Sequence, residues 1–392
     1  MAQELSYVMV NPYTIYKSRT GGVISRLLTR TALDLVGGVM MAPGPKFVEE
    51  FAATIVSDPE PRHRATQEQI REYVLANYAP DAATGRPNRT MLLLFRAKDA
   101  VRKTFEAVGH IRRQTTGGET VRDTFGDCIY NRDGSLRYFE PAVLTAPTAA
   151  SAKKQLAIIA KHVGKDSQSG LLEGIAPTFG QPGHQRTLVI IKPDNFRFPS
   201  GRPGNVIDLF SRAGLAITGM KVHRMSVAEA EAFYSPILPS LREKLGIPAA
   251  ARVKELIQSA LALPVSEKME AEFARLLGPV AGEERFQTIV QFMAGKSPRE
   301  CRTAAEKKAH GSEKCIVLVY EGIDAVRKIR EVLGPTDPSQ APPGSIRREF
   351  GQTMMINAAH ASDSAANAER EIGIVKMKEN NFKSLIQASL KG

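Results

Sequence analysis

Of the seven histidines in this 392-residue chain, His360 has the surroundings best suited to chemistry. It lies in Asn357-Ala-Ala-His-Ala-Ser-Asp-Ser364, between an expected strand, Thr353-Met-Met-Ile356, and an expected helix that Gly373 would end. Small neighbours leave the ring accessible, and Ser362, Asp363 and Ser364 are all N-cap residue types. Backbone N–H groups at a helix N-terminus favour phosphate. A neutral imidazole is a good nucleophile near pH 7. A phosphate-handling histidine is one reading of this turn, and a partly buried structural histidine is the other. A rival phosphate signal, Gly295-Lys296-Ser297, imitates the end of a Walker-type loop. Val290 stands where that motif needs its earlier glycine, and a helix precedes it instead of a strand.

The elements that must position His360 become legible through an internal repeat, which sets the fold question before any local motif. Ala97-Lys-Asp-Ala-Val-Arg-Lys103 recurs as Gly322-Ile-Asp-Ala-Val-Arg-Lys328, each after an apolar strand, Met91-Leu-Leu-Leu-Phe95 or Ile316-Val-Leu-Val-Tyr320. Val121-Arg-Asp-Thr-Phe-Gly126 is matched by Ile346-Arg-Arg-Glu-Phe-Gly351. The starts correspond through Tyr7-Val-Met-Val-Asn-Pro-Tyr13 and Leu188-Val-Ile-Ile-Lys-Pro-Asp194, and the ends through Thr148-Ala-Ala-Ser-Ala and Ser364-Ala-Ala-Asn-Ala. Two tandem copies of one domain follow. Strands and helices mixed with short connections indicate that each copy is an α/β or α+β sandwich, a small sheet covered by helices. The breaker-rich stretch 166–185 reads as the linker between copies 1–165 and 186–378. The second copy carries two insertions. Residues 235–284 have helical periodicity, with Val253, Leu256, Ile257, Ala260 and Leu261 on one face. Residues 296–313 are polar and basic, an exposed excursion. The tail 379–392 suits a short helix or an arm.

Composition bounds the function. An apolar fraction of 43% and a charged fraction of 24% are those of an ordinary globular protein. The N-terminus lacks the basic start and apolar stretch of a secretory signal, and no apolar run reaches membrane-spanning length. Three unclustered cysteines, Cys128, Cys301 and Cys315, form neither a disulfide framework nor a metal site, so a reducing cytoplasm is expected. The net charge of +12 attracts polyanions. Its basic residues are scattered and the chain has no Trp, which favours phosphate-bearing nucleotides over nucleic acid as the main partner, with no membrane.

The segment around His360, with Ala-Glu-Arg-Glu-Ile-Gly373 after it, resembles the active-site segment of nucleoside diphosphate kinases. So do Lys192-Pro-Asp194, the run from Val326 to Pro338 and Pro343-Gly-Ser-Ile-Arg-Arg-Glu-Phe350, in the same order. The resemblance implies a ferredoxin-like α/β sandwich, an antiparallel four-stranded sheet covered by helices. It also implies ping-pong transfer of the γ-phosphate from a nucleoside triphosphate, such as ATP, to a diphosphate through a phosphohistidine on His360. By the same matching, Glu371 fixes the ring, Ser362 is the hydroxyl near it and Tyr234 the tyrosine beside it. Lys192, Arg330, Thr336 and Arg347 form the phosphate-binding set, and Asn357 is the amide on the ribose and phosphate side. Mg2+ is expected on the nucleotide, without a protein metal cage. The family's oligomers imply a homo-oligomer here too.

Two positions depart from the family pattern. Ala361 replaces the glycine after the histidine, which requires a backbone angle that alanine allows. Arg285, with Phe286 next to it, stands where the family stacks the base on a phenylalanine; arginine can also stack on a base. The 235–284 insertion falls where the family has a helical hairpin over the nucleotide, as a lid or a partner surface. In the first copy Asn11 replaces Lys192, Phe105 replaces Arg330, Ile111 replaces Thr336 and Pro141 replaces Asn357. Leu144, Ala146 and Gln155 replace His360, Ser362 and Glu371, and only Arg122 matches, at Arg347. That copy is therefore expected to be non-catalytic. The contrasting possibility is a non-catalytic nucleotide-binding or assembly scaffold throughout.

Overall fold

The computed structural model describes residues 3–57, 61–111, 118–133, 136–164 and 169–391. It contains two compact units, one of residues 1–222 with 316–392 and one of His223–Cys315.

The first unit holds both copies of the repeat. Copy one runs β1 (Glu4–Val10), α1 (Pro12–Tyr16), α2 (Thr20–Arg30), β2 (Asp34–Met41), α3 (Pro45–Ala52) and α4 (Pro61–Asn77). It continues with β3 (Thr90–Ala97), α5 (Ala100–Val108), α6 (Val121–Phe125), the hairpin β4 (Asp127–Tyr130) and β5 (Leu136–Glu140), β6 (Val143–Leu144) and α7 (Ala149–His162). The strand β7 (Ser169–Gly170) precedes copy two, whose elements in this unit begin with β8 (His184–Ile191), α8 (Arg202–Phe210) and β9 (Ala216–His223).

The second unit is helical: α9 (Val227–Tyr234), α10 (Leu238–Leu261), α11 (Glu267–Ala294) and α12 (Ala304–Lys308). Copy two then resumes with β10 (Cys315–Ile323), α13 (Ala325–Leu333), α14 (Ile346–Phe350), β11 (Ala359–Ala361), α15 (Ala365–Ile374) and α16 (Phe382–Lys391).

The sheets have the orders β6-β1-β3-β2-β7 and β11-β8-β10-β9. Numbered within each copy, the four repeated strands lie in the order fourth, first, third, second, and the resolved pairings are antiparallel. This is the expected ferredoxin-like α+β sandwich. Copy one adds β7 as a fifth strand. The repeat extends to backbone detail. Asp99 (φ 56°) and Asp324 (φ 53°) take the same left-handed turn before α5 and α13, and Ala142 (φ 60°) matches Ala358 (φ 67°). Continuous apolar runs make β1, β3, β8 and β10 almost wholly buried, as a sheet covered on both faces requires.

The copies share a core that includes Val23 and Ile24 of α2 and Val206, Ile207 and Phe210 of α8. These helices are equivalent in the repeat and cross with their backbones in contact. A Cβ on Gly21 would lie 2.3 Å from Asp208 N, and one on Gly204 would lie 2.2 Å from Ser25 N. Gly204→Ala must push the copies apart. Thermal unfolding should show a loss of about 1–3 kcal/mol; an unchanged midpoint would mean that the helices separate freely. The tail returns as α16 onto copy one, with Phe382 and Ile386 fully buried against its sheet layer.

In the second unit α10 and α11 form an antiparallel hairpin. Gly246 and Gly278 allow the close approach, since a Cβ on Gly246 would meet Ala274 O at 2.4 Å and one on Gly278 would meet Arg242 O at 2.5 Å. This seam corrects the face expected from periodicity. Leu256 and Leu261 are 62% and 63% exposed, because helices touching through glycines bury the small residues Gly246, Ala250, Gly278 and Gly282. Gly295 (φ 84°) closes α11, so the Walker-like tripeptide is a helix end. The 296–313 stretch is largely exposed and holds α12, capped by Thr303.

Candidate active site around His360

His360 is not on a turn after a strand. It is the central residue of β11, hydrogen-bonded in register with Ile190 of β8, while residues 353–356 form a bent loop. The loop folds on itself: Gln352 N and Thr353 N both donate to Ile356 O, at 2.7 and 3.1 Å, which removes the pairing a strand would need. Ser364 is the N-cap of α15, accepting from Asn367 N at 3.1 Å. Gly373 lies inside this helix, one residue before its end. Ala361 sits in the extended β11, so the glycine replacement carries no strain. The left-handed residue is Ala358.

The imidazole is anchored by Glu371, with its side chain 23% exposed. His360 Nε2 and Glu371 Oε2 are 3.1 Å apart, and Ser362 Oγ donates to the same oxygen at 2.7 Å. Glu371 is buried at the inner face of α15, and Ser362 is fully buried. A carboxylate can only accept, so the neutral ring carries its proton on Nε2 and its lone pair on Nδ1. The Arg370 guanidinium stands 3.6 Å from the other carboxylate oxygen. Sequence matching paired these three residues, and the fold joins them because β11 and α15 meet across the Ser362 turn.

A cationic cluster forms around the loop that precedes β11. Lys192 Nζ donates to Met355 O at 2.6 Å and to Asn357 Oδ1 at 2.9 Å. Burial pulls its amine down to about 8, Asp194 opposing and Arg347 adding to the shift. Asn357 Nδ2 donates to Met354 O at 2.9 Å and to Thr336 O at 3.2 Å, so this amide ties the lysine to the loop. Arg347 donates to Gly334 O at 3.0 Å and to Ala359 O at 3.2 Å. Its counterpart Arg122 makes the same pair of bonds, to Gly109 O at 2.6 Å and Val143 O at 3.1 Å. This arginine thus holds the short strand in both copies, which accounts for its being the one candidate they share. Arg330 and Thr336 are exposed. Arg330 lines an open groove of ≈ 670 Å³ with Gln185, Asp324 and Asp363.

Sequence reasoning missed the supports of this cluster. Asp194 Oδ2 accepts from Ala358 N at 3.2 Å and stands 3.5 Å from Arg202, which also donates to Phe350 O. Asn195 donates to Ala358 O at 2.7 Å. Together they pin the left-handed Ala358. The Lys-Pro-Asp-Asn run carried the only available signal, an acid two residues after the lysine. Among the described residues, no group of three or more His, Cys, Asp or Glu side chains could hold a metal ion.

Three of the expected site residues belong to the helical unit. Tyr234 ends α9, its ring tilted against Phe233 at 5.0 Å. Arg285 is exposed on α11, whereas Phe286 is 6% exposed and committed to packing. Arg285 is therefore the exposed member of that pair.

In copy one the same positions are filled. Leu144 pairs with Met9 just as His360 pairs with Ile190. Tyr7 OH donates to Gln155 Oε1 at 2.5 Å, where copy two has the serine and glutamate. Asn11 lies in a buried network: Tyr78 OH donates to its Oδ1 at 2.6 Å, its Nδ2 to Glu140 Oε1 at 3.1 Å, and Tyr73 OH to the same oxygen at 2.5 Å. Burial raises the Glu140 carboxyl above its ordinary range. The tyrosines come from α4 and the turn after it, and they occupy the room around Asn11.

A family model described as nucleoside diphosphate kinase matches residues 185–244 and 304–381. A nucleoside diphosphate kinase of Chlamydia abortus is 31% identical over 188 residues, covering 48% of this chain and 89% of that protein. One of Staphylothermus marinus is 28% identical over 191 residues, covering 49% and 92%. A crystal structure of the Aquifex aeolicus enzyme aligns over 49% of this chain and 94% of its own, at 27% identity and a TM-score of 0.31. The fold and the polar cluster around His360 thus lie in a chain that belongs to the nucleoside diphosphate kinase family, a family of phosphotransferases. The family model leaves copy one and residues 245–303 unmatched. No helix of the described residues is long and apolar enough to cross a membrane.

Proposed function

We propose that copy two is a nucleoside diphosphate kinase in which His360 is the phosphoryl carrier. The observation that carries this reading is the Ser362–Glu371–His360 chain, which orients the ring and places its basic lone pair on Nδ1. Nδ1 attacks the γ-phosphorus of a Mg2+-bound nucleoside triphosphate in line. The P–O bond to the β-phosphate breaks, and the diphosphate leaves. A second diphosphate attacks the phosphohistidine through its terminal oxygen and regenerates the imidazole. Glu371 stabilises the charge that develops on the ring.

Phosphoryl transfer of this kind depends on positioning and on cations at the equatorial oxygens. Lys192, Arg330 and Arg347 supply that charge, Thr336 and Asn357 bind beside them, and the family resemblance assigns Tyr234 to the histidine. Arg285 serves as the base contact. In this reading residues 186–378 form the catalytic domain and 1–165 a non-catalytic one. A cytoplasmic homo-oligomer is its setting.

Incubation with γ-labelled ATP and Mg2+ tests the proposal. An acid-labile, base-stable label on the chain is expected. Unlabelled protein that still binds nucleotide would leave only a scaffold.

Copy one should stay silent. On a His360→Ala background, Leu144→His is expected to give no labelled peptide, because Gln155 is bound to Tyr7 and Asn11 to Tyr78 and Glu140. A phosphorylated residue 144 would show that the filled network can open to a triphosphate.

A further inference from the structure

Where the two copies meet, a cavity of ≈ 30 Å³ lies at the N-terminus of α2, lined by Thr20, Gly21 and Arg89 of copy one and Ile207, Ile217 and Tyr320 of copy two, among others. Two hydroxyls at this cavity, Thr20 Oγ1 and Tyr320 OH, are buried and lack a hydrogen-bond partner among the described residues. The residues are 3% and 1% exposed. Buried hydroxyls are normally satisfied, so each points to an occupant. The lining is electropositive. The N-cap residue of α2, Arg19, makes no side-chain cap bond, and the first-turn N–H groups carry the positive end of the helix dipole. Arg89 donates to Ile217 O at 2.7 Å and forms no ion pair among the described residues. Burial pulls its guanidinium down to about 10. Glu321, the carboxylate whose field reaches Arg89, is taken by Arg186 at 2.8 Å and Thr218 at 3.0 Å. No carboxylate lines the cavity.

We propose that this cavity binds a small monatomic anion of the halide class, chloride being the natural candidate, which bridges the two copies. The space suits a small, water-sized guest. An anion satisfies the two hydroxyl donors and the helix end, and it neutralises Arg89. The site stands apart from His360, and the proposal does not depend on the reaction.

Thermal unfolding of the full chain in sodium chloride, sodium bromide and sodium gluconate at equal ionic strength tests it. The two halides should raise the midpoint saturably and gluconate should not, as for any ligand bound only by the native state. Arg89→Gln and the conservative Tyr320→Phe should both lose this difference; if the first variant does not fold, the second still reports. Crystals grown in bromide should show an anomalous peak in the cavity. Equal midpoints in all three salts, a halide response that survives Tyr320→Phe, or a water there without anomalous signal would each overturn the proposal.

Discussion

Replacing His360 by alanine is expected to lower nucleoside diphosphate kinase turnover by at least about 10³-fold, with nucleotide affinity changed little. The imidazole sits on a β-strand whose backbone is paired with β8, so truncating its side chain leaves the strand in place. It also removes no support from Lys192 or Asn357, which hold each other and the preceding loop. The loss therefore falls on the chemical step. Steady-state exchange between a triphosphate and a second diphosphate, with nucleotide affinity measured separately, checks this. A variant that keeps about a tenth of wild-type turnover would move the nucleophile elsewhere.

The second large effect concerns Lys192. Lys192→Met keeps the length of the side chain and removes its charge. It also leaves Met355 O and Asn357 Oδ1 without their donor. A loss of about 10²–10³-fold in kcat/KM is expected, comparable to deleting one preorganised donor to a developing anion. The pH profile gives an independent signature. The free-enzyme amine is pulled down to about 8 by burial, so it is charged below that pH and neutral above it. Activity that needs the cation is then full below about 8 and falls as pH rises through it. The limb belongs to kcat/KM, which reports the free enzyme. In kcat it should move to higher pH, because a bound polyphosphate favours the charged amine. Lys192→Met should flatten the limb along with the rate. A wild-type kcat/KM level from pH 7 to 10 would remove Lys192 from phosphate binding.

Arg347 has a structural task alongside the charge it supplies, and copy one isolates that task. Arg122 makes the same two backbone bonds beside a site filled by leucine and tyrosine. Holding the short strand is therefore a task that exists without any substrate, and an arginine serving it need not be released to a phosphate. Arg330 is exposed on α13 and lines the open groove, the more adaptable cation of the two.

The sequence by itself determined the repeat, most of the strand and helix order, though neither the β4–β5 hairpin nor the place of β11, and the contrast between His360 and Leu144. These are local or alignable properties. Apolar runs such as Cys315-Ile-Val-Leu-Val-Tyr320 specify buried strands, and the Asp-Ala-Val-Arg-Lys segments specify the same turn and helix twice. The position of His360 within its own element was not legible. The short β11 offers too few residues for a period-two pattern, and residues 353–356, rich in strand formers, are bent by hydrogen bonds to Ile356 and Asn357. The buried face of the α10–α11 hairpin was misread for a related reason. Periodicity marks apolar residues, whereas helix approach there is set by Gly246 and Gly278.

Only the tertiary structure decided that Ser362 and the His360 ring meet on one oxygen of Glu371, that Asp194 and Asn195 pin Ala358, and that copy one is plugged by Tyr7, Tyr73 and Tyr78. Each joins residues far apart in the chain or turns on a side-chain direction, and linear spacing specifies neither. The cavity between α2 and Tyr320 is the extreme case. Its donors lie in different copies of the repeat and meet only because glycines let two equivalent helices touch.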